Sequence, residues 1–166
     1  LDPFIDFFYF DVLSSVREFK LAIEAIESFN KPYLIGAHIS EGVKLPSGEN
    51  ISKIITTINH KNLLGIILSC VSPENYEQNI TELKTLGVPF GFKLNGFMTT
   101  NPDKGYTNNF NKSKTGNPNE FLGHREDLLP EKMALIVKKF QEAGATILGG
   151  CCETRPEHIR EMAKLK

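Results

Sequence analysis

Leu63-Leu64-Gly65-Ile66-Ile67-Leu68-Ser69-Cys70, running directly into Val71-Ser72-Pro73-Glu74, is the stretch on which the fold turns. Residues 63–70 carry no charge and one hydroxyl, the pattern of a strand buried on both faces of a parallel sheet. Ser72 then reads as a helix N-cap, Pro73 as the first helical residue and Glu74 as an acid in the first turn. A buried strand that leads straight into a capped helix is the repeating element of a βαβ architecture.

The same alternation extends in both directions. Upstream, the aromatic run Phe7-Phe8-Tyr9-Phe10 reads as a strand. Ser15 and Glu18 form a capping-box pattern before a helix over 16–29, where Val16, Phe19, Ile23 and Ile26 recur at helical spacing. Residues 33–39 give the next strand, and a helix is expected over about 50–58. Downstream, the helix opened by Ser72 closes near Gly87, a strand covers 88–94, and a helix over about 130–143 ends at Gly144. A last strand covers 145–150, and Thr154 with Glu157 forms a second capping box before a helix over 156–165. Residues 97–122 break the pattern: they are polar and aperiodic, a long loop that reads equally as a functional excursion, with Tyr106 and Phe110 as lid residues, or as a disordered insert. The fold class is therefore α/β, with about five βα units in one domain over 1–166. Five units are too few for an eight-stranded barrel of roughly 250 residues. The pattern leaves a small open doubly wound sheet and a piece of a barrel as alternatives.

With 166 residues, 40% of them hydrophobic, the chain is long enough to bury a core. Its formal net charge of -1 and pI near 6.5 provide no field for nucleic acid or an anionic membrane. The densest basic spot, Lys112 and Lys114, lies in the polar loop. No stretch approaches the ~18 apolar residues of a membrane span, and the first residues lack the pattern of a secretory signal. Three cysteines, two of them adjacent, make a poor disulfide framework and point to a reducing, cytoplasmic setting.

All three cysteines fall at the C-terminal ends of strands, where α/β proteins place their active sites. Cys70 ends the 63–70 run, and Cys151-Cys152 directly follow Ile147-Leu148-Gly149-Gly150. Adjacent residues of an extended strand point to opposite faces. For Cys151 and Cys152 to converge the backbone must leave that conformation, which the two glycines permit. Three thiolates around Zn2+ would leave one tetrahedral position open, as in a catalytic zinc site. The competing reading is that these are small buried hydrophobes.

Gly149-Gly150-Cys151-Cys152-Glu153-Thr154-Arg155-Pro156-Glu157-His158-Ile159 closely resembles the C-terminal signature of the homocysteine S-methyltransferase family. Ser69-Cys70-Val71-Ser72-Pro73 is similar to that family's other zinc-ligand motif, with Ser69 in place of the usual Asn. Gly123-His124-Arg125-Glu126-Asp127 also resembles bacterial members, and the likeness covers essentially the whole chain. The resemblance implies a (β/α)8 TIM barrel with Zn2+ on Cys70, Cys151 and Cys152, and transfer of a methyl group from a small-molecule donor to the thiol of homocysteine, giving methionine. It implies substrate-binding roles for Asp11, in the place of a family Glu that contacts the substrate amine, and for Asn95. It also implies that this chain supplies strands four to eight, the C-terminal portion of the domain, with strands one to three absent. Its partners would then be the missing N-terminal half or a second copy. An inactive zinc-binding remnant of the family is the alternative.

Four histidines complete the candidates. His158 is expected to be structural and partly exposed, and His60 to lie at the surface. His38, at a strand end, is the best placed of the four for a substrate pocket. His124 with Arg125 and Asp127 reads equally as a loop anchor or a substrate contact.

Overall fold

The structure is a computed structural model, and it describes residues 4–39, 41–57, 60–99 and 119–165. Tyr106, Phe110, Lys112 and Lys114 lie outside the described residues, as does the side chain of His60. Strands β1 (Phe8–Leu13), β2 (Tyr33–Ala37), β3 (Leu63–Val71), β4 (Phe90–Leu94) and β5 (Ile147–Gly150) form one sheet. They lie in the order β1-β2-β3-β4-β5, and every neighbouring pair is parallel.

That order excludes one of the two architectures left open by the sequence, the doubly wound sheet. A doubly wound sheet reverses its strand order at a switch point, and no reversal occurs here. With right-handed crossovers, a sheet that always steps the same way carries all its helices on one face. The helices are α1 (Val16–Ile26), α2 (Ser52–Ile55), α3 (Pro73–Thr85), α4 (Pro130–Glu142) and α5 (Pro156–Met162). The fold is thus an α/β parallel sheet wound like part of a barrel.

Alternation along the strands sorts side chains between the two faces. Ile35, Ala37, Ile66, Leu68, Phe90, Phe92 and Leu94 enter the hydrophobic core with Phe19 of α1, Tyr76 and Leu83 of α3, and Val137 and Phe140 of α4. Tyr76, Phe92 and Phe140 meet as a trio of aromatic rings with centroids 4.7, 4.8 and 5.7 Å apart. The intervening positions, Tyr9 and Asp11 of β1, Gly36 of β2, Ser69 of β3 and Lys93 of β4, point to the opposite face. There Lys93 forms an ion pair with Asp11. In a flat sheet β1 and β4 would stand ~14 Å apart, further than these two side chains can bridge. The sheet is therefore curled towards its helix-free face, as a barrel wall is.

Element ends shift by a few residues from the sequence reading, and two of the differences have a local cause. The helix expected over 50–58 is reduced to Ser52–Ile55, because the Thr56 and Thr57 hydroxyls bond to the Lys53 carbonyl at 3.0 and 2.7 Å. Side-chain bonds of that kind compete with the helical ladder. At the last helix the cap is Arg155 rather than Thr154. The Thr154 hydroxyl instead donates to the Cys151 carbonyl at 2.5 Å, so it ties down the cysteine turn.

Candidate metal centre

Cys70 owes its position to a bulge in β3. The register with β4 shifts between Ser69 and Val71, and Cys70 takes a left-handed φ of 56°. Such a conformation is uncommon for a non-glycine residue and concentrates at functional sites. Asn95, fully buried just beyond β4, holds it there: its amide Nδ2 donates to the Cys70 carbonyl at 2.7 Å. The Asn95 N–H donates to the Val71 carbonyl at 2.9 Å, and its Oδ1 accepts from Phe97 N–H at 3.3 Å.

Cys151 and Cys152 are fixed from the same direction. Cys151 N–H donates to Leu94 O at 2.7 Å, Gly96 N–H donates to Cys152 O at 3.0 Å, and Thr154 N–H donates to Cys151 O at 3.1 Å. Neither Gly149 nor Gly150 takes a positive φ; the chain turns at Glu153, with φ 63°. Gly150 serves by being small, since a Cβ there would lie 2.3 Å from Thr154 Oγ1. The expectation that these glycines supply unusual dihedrals is replaced by one of close approach.

The outcome is three free thiols whose sulfurs all lie within 4.8 Å of one another. Cys70 Sγ is 3.7 Å from Cys152 Sγ, and Cys151 Sγ is 4.0 Å from Cys152 Sγ. Tetrahedral thiolates at ~2.3 Å from a zinc ion stand ~3.8 Å apart, so the donor set fits a metal ion of that kind. Among the described residues this is the one group of three or more His, Cys, Asp or Glu arranged to hold a metal. The thiols also share their protons unequally. A hydrogen bond from Cys70 favours the Cys151 thiolate against the cost of burial, with help from the Lys93 charge, while that bond and burial push the Cys70 thiol up.

Beside the cysteines, on the helix-free face, lies a polar layer. Tyr9 OH donates to Asp11 Oδ1 at 2.6 Å and lies 2.9 Å from Ser69 Oγ, while Lys93 Nζ reaches Asp11 Oδ2 and sits 5.2 Å from the Tyr9 ring centre. Burial opposes the Asp11 carboxylate, but hydrogen bonds from Lys93, Ser69 and Tyr9 outweigh it and hold the carboxyl below its ordinary value. Burial, with the bond to Asp11, pushes Tyr9 up to about 12. Gly36 makes room for the layer, since a Cβ there would lie 2.3 Å from Ser69 Oγ and 2.8 Å from Tyr9 OH. Val12, which follows Asp11, has φ 59° at a second register shift, in β1.

Sequence reasoning missed Lys93 and Tyr9. A signal for Lys93 was present: it is the single charge in the otherwise apolar strand Phe90-Gly91-Phe92-Lys93-Leu94.

The histidines take other places. His158 is structural as expected, but buried rather than partly exposed: its Nδ1 accepts from Arg155 N–H at 3.0 Å and its Nε2 lies 2.9 Å from Leu128 O. His124 Nδ1 lies 3.1 Å from Glu153 Oε2, beside the cysteine turn. Arg125 spans Glu74 of α3 at 2.7 Å and Asp127 at 2.9 Å, the arrangement of a loop anchor. His38 follows β2 half-buried, with its N–H donating to Leu13 O at 2.8 Å.

Comparison with known proteins places the chain in a family. The sequence model of the homocysteine S-methyltransferase family matches residues 1–165. Homocysteine S-methyltransferase 1 of Saccharomyces cerevisiae is 29% identical over 171 residues, covering 96% of this chain and 47% of the yeast protein. The Zea mays protein of the same name is 25% identical, covering 96% of this chain and 46% of its own. The chain thus spans about half the length of the curated relatives it matches. The crystal structure of the homocysteine methyltransferase MmuM from Escherichia coli in its apo form shares the fold, with a TM-score of 0.71 at 16% identity. That likeness covers 99% of this chain and 52% of MmuM. The match over 1–165, which takes in all three cysteines, establishes that the chain belongs to the homocysteine S-methyltransferase family.

Proposed function

We propose that this chain provides the zinc- and thiol-binding part of an enzyme that transfers a methyl group to homocysteine and so forms methionine. The observation that carries the proposal is the convergence of three cysteine sulfurs from two strand ends at metal-ligating separations, in a chain of this family. Cys70, Cys151 and Cys152 would hold Zn2+ and leave one position for the substrate sulfur. When bound there, the ion supplies the charge that keeps a thiol deprotonated near neutral pH.

The chain's own residues do the rest by placement. Asp11 would take the substrate ammonium, and hydrogen bonds from Tyr9 and Lys93 keep its carboxylate ionised and aimed. Asn95 belongs to the same site in this proposal, where its amide supports the Cys70 loop against which the substrate would lie. The thiolate must meet the methyl carbon in line with the leaving group, so orientation is the main catalytic requirement.

In the same proposal the five βα units are strands four to eight of a (β/α)8 barrel. The first three would come from an N-terminal half. The curl of the sheet and the half-length match to the relatives support this. A reducing, cytoplasmic setting suits a site built on free thiols. Among the described residues no helix is long and apolar enough to cross a membrane.

Metal analysis and a methyl-transfer assay test the proposal together. The chain purified under reducing conditions is expected to hold one equivalent of zinc. Methionine formation from homocysteine is expected only when the barrel is completed. No bound zinc would refute the metal site, and zinc without methionine formation by a completed barrel would favour the inactive remnant.

A further inference from the structure

The polar layer on the helix-free face contains a charge that the thiol chemistry alone does not need. Lys93 stands on a strand whose neighbours in sequence are apolar. It extends over Gly36 and Ser69 to reach Asp11, three strands away. Gly36 has no side chain, and a Cβ there would strike the Ser69 and Tyr9 hydroxyls, so the span is open only because those positions are small. Both partners remain in reach of a ligand: the side chains of Lys93 and Asp11 are 23% and 37% exposed. Lys93 lies in register with Ser69, the residue before Cys70, and with Gly149, two residues before Cys151, so the pair stands beside the cysteines.

A carboxylate and an ammonium paired at the edge of a thiol site match the two charges of an α-amino acid. Homocysteine is a zwitterion whose sulfur is two methylenes from the carbon bearing both charges. We infer that the Asp11–Lys93 pair is the recognition element for the amino-acid end of the substrate: Asp11 takes the ammonium, and Lys93 swings off Asp11 to take the carboxylate. The inference rests on the proposed homocysteine reading and adds to it a residue, Lys93, and a specificity. Exchange of one ion pair for two keeps every charge partnered, so the site avoids leaving a desolvated charge alone on binding. It also makes the empty site self-satisfied, with Tyr9 retained as the third bond to Asp11.

A thiol series tests this on the chain loaded with cobalt(II), where binding of a thiolate to the metal is read from its charge-transfer absorption. The probes are homocysteine, 3-aminopropane-1-thiol, which lacks the carboxylate, and 4-sulfanylbutanoate, which lacks the ammonium. The unsubstituted chain is expected to bind homocysteine roughly tenfold or more tighter than either analogue. In Lys93→Met the preference over 3-aminopropane-1-thiol should vanish, and Lys93→Arg should restore part of it. In Asp11→Asn the preference over 4-sulfanylbutanoate should vanish.

Equal affinities for all three thiols in the unsubstituted chain would overturn the inference while leaving the thiol site intact. So would a Lys93→Met variant that weakens every thiol by the same factor. If no thiol perturbs the cobalt spectrum, the underlying reading of the metal site fails, and this inference with it.

Discussion

The side-chain amide of Asn95 donates to the backbone carbonyl of Cys70 across 2.7 Å, so a fully buried residue from one strand end holds the left-handed cysteine of the next. Asn95→Ala removes that donor and leaves a sheltered carbonyl unpaired, at a cost of about 1–3 kcal/mol. Partners that orient metal ligands are typically worth 10–100-fold in affinity. A titration against a zinc chelator is expected to show a loss of about that size, alongside a lowered melting temperature.

Each cysteine is expected to be needed for the metal and dispensable for the fold. None of the three belongs to the hydrophobic core. Cys70→Ser, Cys151→Ser and Cys152→Ser should each abolish stoichiometric zinc, yet retain the far-UV circular dichroism of the parent. A serine variant that keeps a full equivalent of zinc would remove that cysteine from the donor set.

Gly36 tests the packing of the polar layer. A methyl group there meets Ser69 Oγ at 2.3 Å, Tyr9 OH at 2.8 Å and the Phe10 carbonyl at 3.0 Å, and the last of these is backbone and cannot swing aside. Gly36→Ala is expected to destabilise by about 1–3 kcal/mol, the usual cost of overpacking. Denaturant midpoints would measure it.

Phe140 tests the other face. It is 1% exposed and closes the trio with Tyr76 and Phe92. Phe140→Ala should cost about 3–5 kcal/mol, enough to unfold a marginal domain. The loss should be similar with and without zinc, because the trio lies on the helix side of the sheet.

The Asp11–Lys93 pair makes stability depend on acidity. Despite burial, hydrogen bonds from Lys93, Ser69 and Tyr9 hold the Asp11 carboxyl below the ordinary 3.8. A carboxyl depressed in the folded state contributes stability above its unfolded value, and the contribution is lost as pH falls through its folded value. The stability gap between the parent and Asp11→Asn should be full near neutral pH and shrink below about pH 4. Denaturation of both chains at several pH values checks the sign.

How far these features could be read from sequence depends on whether the signal is local. The apolar run before Ser72, and the cap itself, stated β3 and α3 outright. The helix expected over 50–58 failed because Thr56 and Thr57 turn their hydroxyls back on the chain. The three cysteines were legible because strand ends gather on one rim of a parallel sheet. The partnership of Asp11 with Lys93 was not, since it depends on the curl that brings β1 and β4 together and on the absence of a side chain at Gly36. Thr154 was given the wrong task for a related reason: its sequence position suits a cap, and only the turn of Cys151 reveals the competing acceptor.

The spacing of the thiols also has a consequence for handling. Sulfurs at 3.7 Å are close enough that a modest shift would bring Cys70 and Cys152 to the ~2 Å of a covalent disulfide. Air oxidation of metal-free protein should therefore crosslink the end of β3 to the turn after β5. Cys151 would then be left as the lone thiol, and the preparation would be deaf to added zinc until a reductant is supplied. In a bound state the ion would occupy the space through which that bond must form, so the metal would act as the guardian of its own ligands.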